Sequence, residues 1–207
     1  SNLHEVATLV DVRDGNSYTV AKLKDSKCWM TQNLRLVNKT LTLVDSDVSA
    51  NFTVPASNLN VANTYDSPTV LPMVYFDPSK PQDGAYYNWF TATAGMGGRD
   101  IPEGSDASSS VCPSGWRLSY GGNRSEYLTL LNSYDGNVAN LRGAPLNFIT
   151  PGYVHERNLI GINSNGLYWS STAGPANWAH RMSIWGNNSD QGSSWQVDSA
   201  LVRCLVK

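Results

Sequence analysis

Apolar and polar positions alternate from Val6 to Leu36 and predict a β-meander. Thr8-Leu9-Val10-Asp11-Val12 and Tyr18-Thr19-Val20-Ala21-Lys22-Leu23 show the period of two that sends successive side chains to opposite faces of a strand, and Asp14-Gly15-Asn16 between them reads as a hairpin turn. A second turn at Asp25-Ser26-Lys27 leads into Cys28-Trp29-Met30 and then Asn33-Leu34-Arg35-Leu36, with Trp29 and Met30 expected in the core. The periodicity then fails. Residues 37–82 hold five prolines (Pro55, Pro68, Pro72, Pro78 and Pro81) among many Ser, Asn and Thr. They predict a loop-rich insertion, with short strands at Thr40 to Val44 and Val70 to Phe76, packed on the domain rather than forming a second one.

The spacing turns helical at Gly84 to Ala94, where Tyr86, Trp89 and Phe90 fall on one side and Gly95 ends the element. A Gly/Ser/Asp loop from Gly97 to Ser110 and a strand-like segment from Val111 to Leu118 follow. A second helix is predicted with Ser125 as N-cap and Glu126, Tyr127, Leu128, Leu130 and Leu131 inside it. Leu141 to Ile149 and Gly152 to Val154 read as loop and short strand, and Leu167 starts a final sheet region. The predicted class is α+β: two helices in mid-chain, a twisted antiparallel sheet joining N- and C-terminal strands, and one long loop insertion, in a single domain over 1–207.

Residues 166–207 pose a different problem. Asn, Ser, Asp and Gly reach a density that usually signals loop or disorder. Trp178, Trp185 and Trp195 argue against disorder, because each ring carries a large apolar surface. Rigid rings beside adaptable polar neighbours are the chemistry of a recognition surface. The segment runs from Tyr168-Trp169-Ser170-Ser171-Thr172 to an apolar alternation around Cys204, so a displayed face pinned at both ends into the core is expected. Met182 and Ile184 are expected inward, and Ala200, Val202 and Cys204 buried. Candidates for the face are His180, Arg181, Ser183 and Trp185 before the loop, and Asn187, Asn188, Ser189 and Asp190 within it. Ser193, Ser194, Trp195, Val197 and Asp198 follow the loop, and Ala173, Gly174 and Asn177 precede the first group. Taken alone, Asn187 to Asp190 would fit a plain polar hairpin loop equally well.

Composition narrows the classes. The 207 residues suit one domain, and a hydrophobic fraction of 41% supplies a core. Charged residues make up only 15%, low against an average near ~25%, which is more typical of extracellular β-rich proteins than of cytosolic enzymes. A net charge of -2 offers no basic footprint, so nucleic acid is not an expected partner. No apolar run approaches a membrane span, and no membrane insertion is expected. The chain opens at Ser1-Asn2-Leu3 with neither methionine nor a signal-like apolar segment, as expected of a processed fragment. Its three cysteines, Cys28, Cys112 and Cys204, fit either one disulfide plus a free thiol or three reduced thiols. A catalytic serine in Tyr168 to Thr172 would need flanking glycines that are absent, so buried hydroxyls bonded to backbone are expected there. His4, His155 and His180 show no metal-ligand spacing.

Five ordered blocks carry a resemblance: Lys27-Cys28-Trp29-Met30 with Asn33-Leu34, Gly84 to Trp89, Cys112-Pro113-Ser114-Gly115-Trp116-Arg117-Leu118, Tyr168 to Thr172, and Val202-Arg203-Cys204. Together they span nearly the whole chain. They resemble the Fibrobacter succinogenes major paralogous domain, a family similar to the C-type lectin fold in its formylglycine-generating-enzyme-like variety. One departure is Ser119, where the family usually has Pro after Trp-Arg-Leu; it bears on loop geometry rather than fold.

The resemblance implies a function as well. Domains of this kind serve as variable proteins of diversity-generating retroelements in bacteria, archaea and their viruses, where adenines of a template are randomised and the copy replaces the C-terminal coding region. Asn codons then yield Asn, Ser, Asp, Gly, Ala, His, Tyr, Thr and Val, and residues 173–199 have that composition. Trp codons carry no adenine, so Trp178, Trp185 and Trp195 would be fixed frame. The resemblance further implies a Cys112–Cys204 disulfide, both cysteines lying in its blocks, with Cys28 a buried free thiol. The formylglycine-generating relatives hold copper with a pair of reactive cysteines near the C-terminus. Here only Cys204 stands there, in an apolar strand pattern, so no enzyme activity, cofactor or metal is expected. The calcium signatures Glu-Pro-Asn and Trp-Asn-Asp are absent too. The expectation is a monomeric, extracellular, cell-surface or virion-surface protein that binds a cell-surface protein or glycan. Its alternative is a non-diversified adhesin or carbohydrate-binding module, with Trp185 and Trp195 stacked on sugar rings.

Overall fold

The computed structural model describes residues 3–37 and 70–207, together with the backbone of residues 40–41 and 52–53. Most of the predicted insertion, including its strand beyond Leu41, lies outside the described residues. Strands β1 (Val6–Val10) and β2 (Ser17–Lys22) form the predicted hairpin. Gly15 turns it at φ 76°, a conformation glycine adopts without a Cβ clash, and the Asp14 carboxylate accepts the Asn16 backbone N–H at 2.9 Å. Next come β3 (Cys28–Met30), the pair β4 (Thr40–Leu41) and β5 (Phe52–Thr53), β6 (Val74–Phe76) and β7 (Ala85–Asn88). They are followed by α1 (Trp89–Ala92), β8 (Trp116–Leu118), α2 (Glu126–Ser133) and α3 (Val138–Arg142). The remainder is β9 (Tyr153–His155), β10 (Asn158–Ile160), β11 (Asn165–Ala173), β12 (Trp178–Trp185), β13 (Asn188–Asp190), β14 (Ser193–Trp195), β15 (Ser199–Leu201) and β16 (Cys204–Val206).

The class is α+β, dominated by sheet. One antiparallel sheet has the order β1-β2-β3-β16-β8, so the last strand lies between N-terminal and mid-chain strands, with Leu205 opposite Trp29. The other runs β10-β9-β15-β11-β12-β13, with β14 also on β12 and the β6–β7 pair joined to β15. It is not wholly antiparallel: β11 and β15 run parallel at Tyr168 and Leu201.

Two local expectations are corrected. The helix predicted over Gly84 to Ala94 is helical only at Trp89–Ala92, and Ala85–Asn88 is a strand. That strand pairs with β6 on one edge and β15 on the other, and all its residues are buried. Pairing on both edges outweighs the helical spacing of the rings. Asn88 marks the switch: its backbone is extended and its side chain accepts the Thr91 N–H, capping α1. The second correction is α3, whose end overlaps the start of the Leu141 to Ile149 segment read as loop and whose first residues had no element assigned. Asn137 caps it and it buries Val138 and Leu141, but five residues are too few for a period to show. The expected cap of α2 is present, Ser125 Oγ accepting the Leu128 N–H at 3.2 Å.

Two apolar clusters fill the interior. Trp89, Trp169, Tyr87 and Trp116 belong to one, with the Cys112–Cys204 disulfide at a Cα separation of 5.8 Å. Two of its indoles are satisfied by backbone: Trp89 Nε1 donates to the Ser170 carbonyl at 2.9 Å and Trp169 Nε1 to that of Tyr87 at 2.7 Å. The other packs Trp29, Tyr127, Phe148 and Tyr168 with Met182, Ile184 and Leu201. Cys28, the first residue of β3, is the free thiol, half-buried rather than buried as expected.

Buried Glu126 ties α2 to both neighbouring segments. It accepts from Arg117 Nη1 at 2.6 Å and Nη2 at 2.8 Å, from the Tyr120 N–H at 2.7 Å, and from Lys27 Nζ. Burial pushes its carboxyl up, but these donors outweigh that and hold it below the ordinary glutamate range. No helix among the described residues is long and apolar enough to cross a membrane, a statement about helices alone.

Candidate functional site

β11, β12 and the β13–β14 edge form a meander. One register holds along the outer edge of β12: Trp185 faces Asn188, Ser183 faces Asp190, His180 faces Ser193 and Trp178 faces Trp195. Between β13 and β14 the Arg181 N–H still donates to the Gly192 carbonyl at 2.9 Å. The turn is Gly186-Asn187, where Gly186 supplies the positive φ, 51°, that tight hairpins demand. On the inner edge Asn165, Leu167 and Trp169 face Trp185, Ser183 and Arg181, before a bulge shifts the register to Ala173 opposite Ala179.

Strand alternation sorts the predicted face residues onto two sides. Arg181, Ser183 and Trp185 share one side with Asn188, Asp190 and Ser194 on one neighbour and Asn165 and Leu167 on the other. Met182 and Ile184 occupy the opposite side, fully buried as expected. His180, Ser189 and Ser193 lie on that second side, so grouping them with Arg181 is corrected. His180 rests against Gly121 and Gly122, where a Cβ on Gly121 would come 2.6 Å from its own Cβ, and it lines a separate recess with Glu103, Arg124 and Thr172. Trp195 is likewise turned from the face and packs against Trp178, with ring centroids 4.3 Å apart.

The first side holds a pocket of ≈ 300 Å³ lined by Arg181, Ser183, Trp185, Ser194, Asn165, Leu167 and Tyr153. Arg181 organises it. Nη1 donates to Ser183 Oγ at 2.9 Å and Asp190 Oδ2 at 2.7 Å, and Nε donates to Ser194 Oγ at 3.2 Å. The Arg181 side chain is 14% exposed and that of Asp190 44%, so the ion pair adds under about 1 kcal/mol and serves mainly to orient the guanidinium. Trp185, 40% exposed, presents its ring at the rim.

Beside the pocket, buried Asp198 meets His155 Nδ1 at 2.9 Å. Burial pushes the Asp198 carboxyl up to about 6, against the opposing hydrogen bond and charge of His155. The Tyr153 hydroxyl is also raised, first by burial and then by Asp198, with Arg181 acting the other way. Tyr153, Asp198 and Arg181 therefore share one electrostatic neighbourhood. Of the residues here, Tyr153, His155, Asn165 and Leu167 had no distinguishing signal in the sequence. They arrive through β9 pairing with β15 and β11 pairing with β12.

Several predicted positions are not displayed. Ala173 is fully buried in the first apolar cluster. Gly174 is buried too, its N–H bonded to the Trp178 carbonyl at 3.0 Å, and a Cβ there would meet Trp178 at 3.2 Å. Val197 and Asp198 lie beneath the surface because the chain turns inward there toward β15. Ser183 and Ser194 are buried as well, as the hydroxyl floor of the pocket under the Arg181 side chain. Asn177 is half-buried, while Asn187 and Asn188 project at the turn.

The hydroxyls of the Tyr168 to Thr172 block bond inward. Ser170 Oγ donates to the His180 carbonyl at 2.8 Å, Ser171 Oγ to that of Ser119 at 3.2 Å, and Thr172 Oγ1 to Asp106. Among the described residues no group of three or more His, Cys, Asp or Glu gathers at metal-ligand distance. Set against protein-family models, curated proteins and solved structures, the chain matches none.

Proposed function

We propose that this is a non-enzymatic ligand-binding protein of C-type-lectin-like fold. In this proposal it recognises a cell-surface protein or glycan through the side of the meander bearing Arg181, Trp185 and Asp190, and is the variable protein of a diversity-generating retroelement. The observation that carries it is the division of labour within β12: Met182 and Ile184 are fully buried while Trp185 is 40% exposed. Substitutions at Asn187, Asn188 and Asp190 can alter a recognition surface without repacking the core. The end of this segment is anchored by β16 between β3 and β8 and by the Cys112–Cys204 disulfide, which supports a stiff frame behind a changeable face. A disulfide also fits an extracellular setting. Because the Cys204 sulfur is bonded to Cys112, a copper-holding thiol role for it is disfavoured, and binding is preferred to oxidation.

Sequencing the 3′ coding end across a natural population tests the proposal. Variation is expected to concentrate at adenine-bearing codons between 177 and 194, with Trp178, Trp185 and Trp195 constant and a reverse transcriptase gene nearby. Variation spread evenly along the chain would sink it. An undiversified adhesin using the same pocket is the second reading, favoured by the exposed Trp185 ring; Trp195, packed on Trp178, is already engaged.

A further inference from the structure

A second cleft, of ≈ 580 Å³, lies away from the meander face and is lined in part by Arg203, Arg142, Asp83, Gln82, Asn163 and Thr150. Arg203 is 1% exposed and has no carboxylate partner among the described residues. Its Nε donates to Asn33 Oδ1, its Nη1 to the Leu146 carbonyl and its Nη2 to the Asn147 carbonyl, each at 2.6 Å, which leaves further N–H donors of the guanidinium unused. The Phe148 ring centroid lies 4.4 Å from the guanidinium carbon and that of Tyr168 5.8 Å away. Ring faces and neutral acceptors soften the burial of this charge but do not neutralise it. Arg142, in the last turn of α3, has no hydrogen-bond or ion-pair partner among the described residues, and its Nε is buried without an acceptor.

Two guanidinium groups thus share one cleft with uncompensated charge, an arrangement that costs stability unless an anion completes it. Asp83 does not serve: its charged neighbours are Lys80 and Asp77 rather than either arginine. Around the arginines, Gln82, Asn163 and Thr150 offer amide and hydroxyl groups, and Ile149 and Pro151 a small apolar patch. A cleft of this volume exceeds what a lone small anion would fill. We propose that it is a second ligand site, distinct from the meander face, that takes an acidic sugar residue: the carboxylate sits between Arg142 and Arg203 and the ring hydroxyls meet the amides and Thr150.

Calorimetric titration of the whole protein at low salt with glucuronate, glucose, acetate and inorganic phosphate tests this. Glucuronate is expected to bind about tenfold or more tightly than glucose, the difference one charge-assisted hydrogen bond makes, and about tenfold or more tightly than acetate, which lacks the ring hydroxyls. Arg142→Gln is expected to weaken glucuronate by about tenfold or more without lowering the melting temperature of the free protein, since the Arg142 side chain has no partner among the described residues to lose. Should Arg203→Gln fail to fold, Arg203→Lys keeps the charge while losing the planar fork, and intermediate affinity is expected of it. Glucose binding as tightly as glucuronate, or unchanged affinity in Arg142→Gln, would overturn the site. Acetate or phosphate matching glucuronate would overturn the sugar assignment and with it the proposal.

Discussion

Along β12, Met182 and Ile184 touch only protein, whereas Arg181 and Trp185, one position away on the same strand, reach a pocket open to water. The backbone is shared and the register along the outer edge is unbroken, so alternation alone sends the two sets to opposite sides. What distinguishes the sides is the layer behind: Tyr127, Tyr168 and Leu201 pack against the first pair, and solvent meets the second. A strand so divided can be constrained on one side and permissive on the other. This asymmetry is what a recognition surface on a fixed frame requires.

Removal of the frame is the severest way to test the contrast. Replacing Cys112 and Cys204 with Ser opens a crosslink across a separation of 92 residues and is expected to cost about 4–5 kcal/mol in denaturant unfolding. Met182→Ala, on the packed side, should cost about 3 kcal/mol through lost burial and the cavity left behind. Asp198 probes the boundary between the sides through pH. Its folded carboxyl titrates near 6 and its unfolded one near 3.8, so the folded state holds this proton more tightly. That contribution to stability is fully present below the unfolded value and is lost as pH rises through the folded one. Relative to Asp198→Asn, the wild type should lose on the order of 2 kcal/mol between pH ~4 and ~7, read from urea unfolding across that range. On the open side, Trp185→Ala should change stability by about 1 kcal/mol or less, while weakening ligand binding by about 2 kcal/mol if the ring is an anchor. Equal destabilisation by Trp185→Ala and Met182→Ala would erase the contrast.

Much of the frame was legible from pattern alone. The Asp14-Gly15-Asn16 turn, the burial of Trp29 and Met30, the Ser125 cap and the inward Met182 and Ile184 all follow from short-range rules of turn chemistry, capping and alternation. The strand at Ala85–Asn88 was not legible, because its rings also satisfy helical spacing and only its partners β6 and β15 decide between the two. The site was partly legible. Arg181, Trp185, Asn188 and Asp190 were named and do share a side. His180 and Ser193 were named with them but sit across the strand, because His180 neighbours Arg181 within β12 and Ser193 is its cross-strand partner.

Turns, caps, the apolar stripe of β12 and the polar, ring-studded character of its neighbours are written in residue order, since each depends on groups a few positions apart. That Ser183 and Ser194 would lie buried beneath the Arg181 side chain could not be read that way. Nor could the convergence of Tyr153, Asn165 and Arg181 on one pocket, or the meeting of Arg142 and Arg203 on one cleft. Those depend on pairings between strands and helices tens of residues apart. Burial and charge compensation belong to neighbourhoods in space, and the chain creates them only when its layers close.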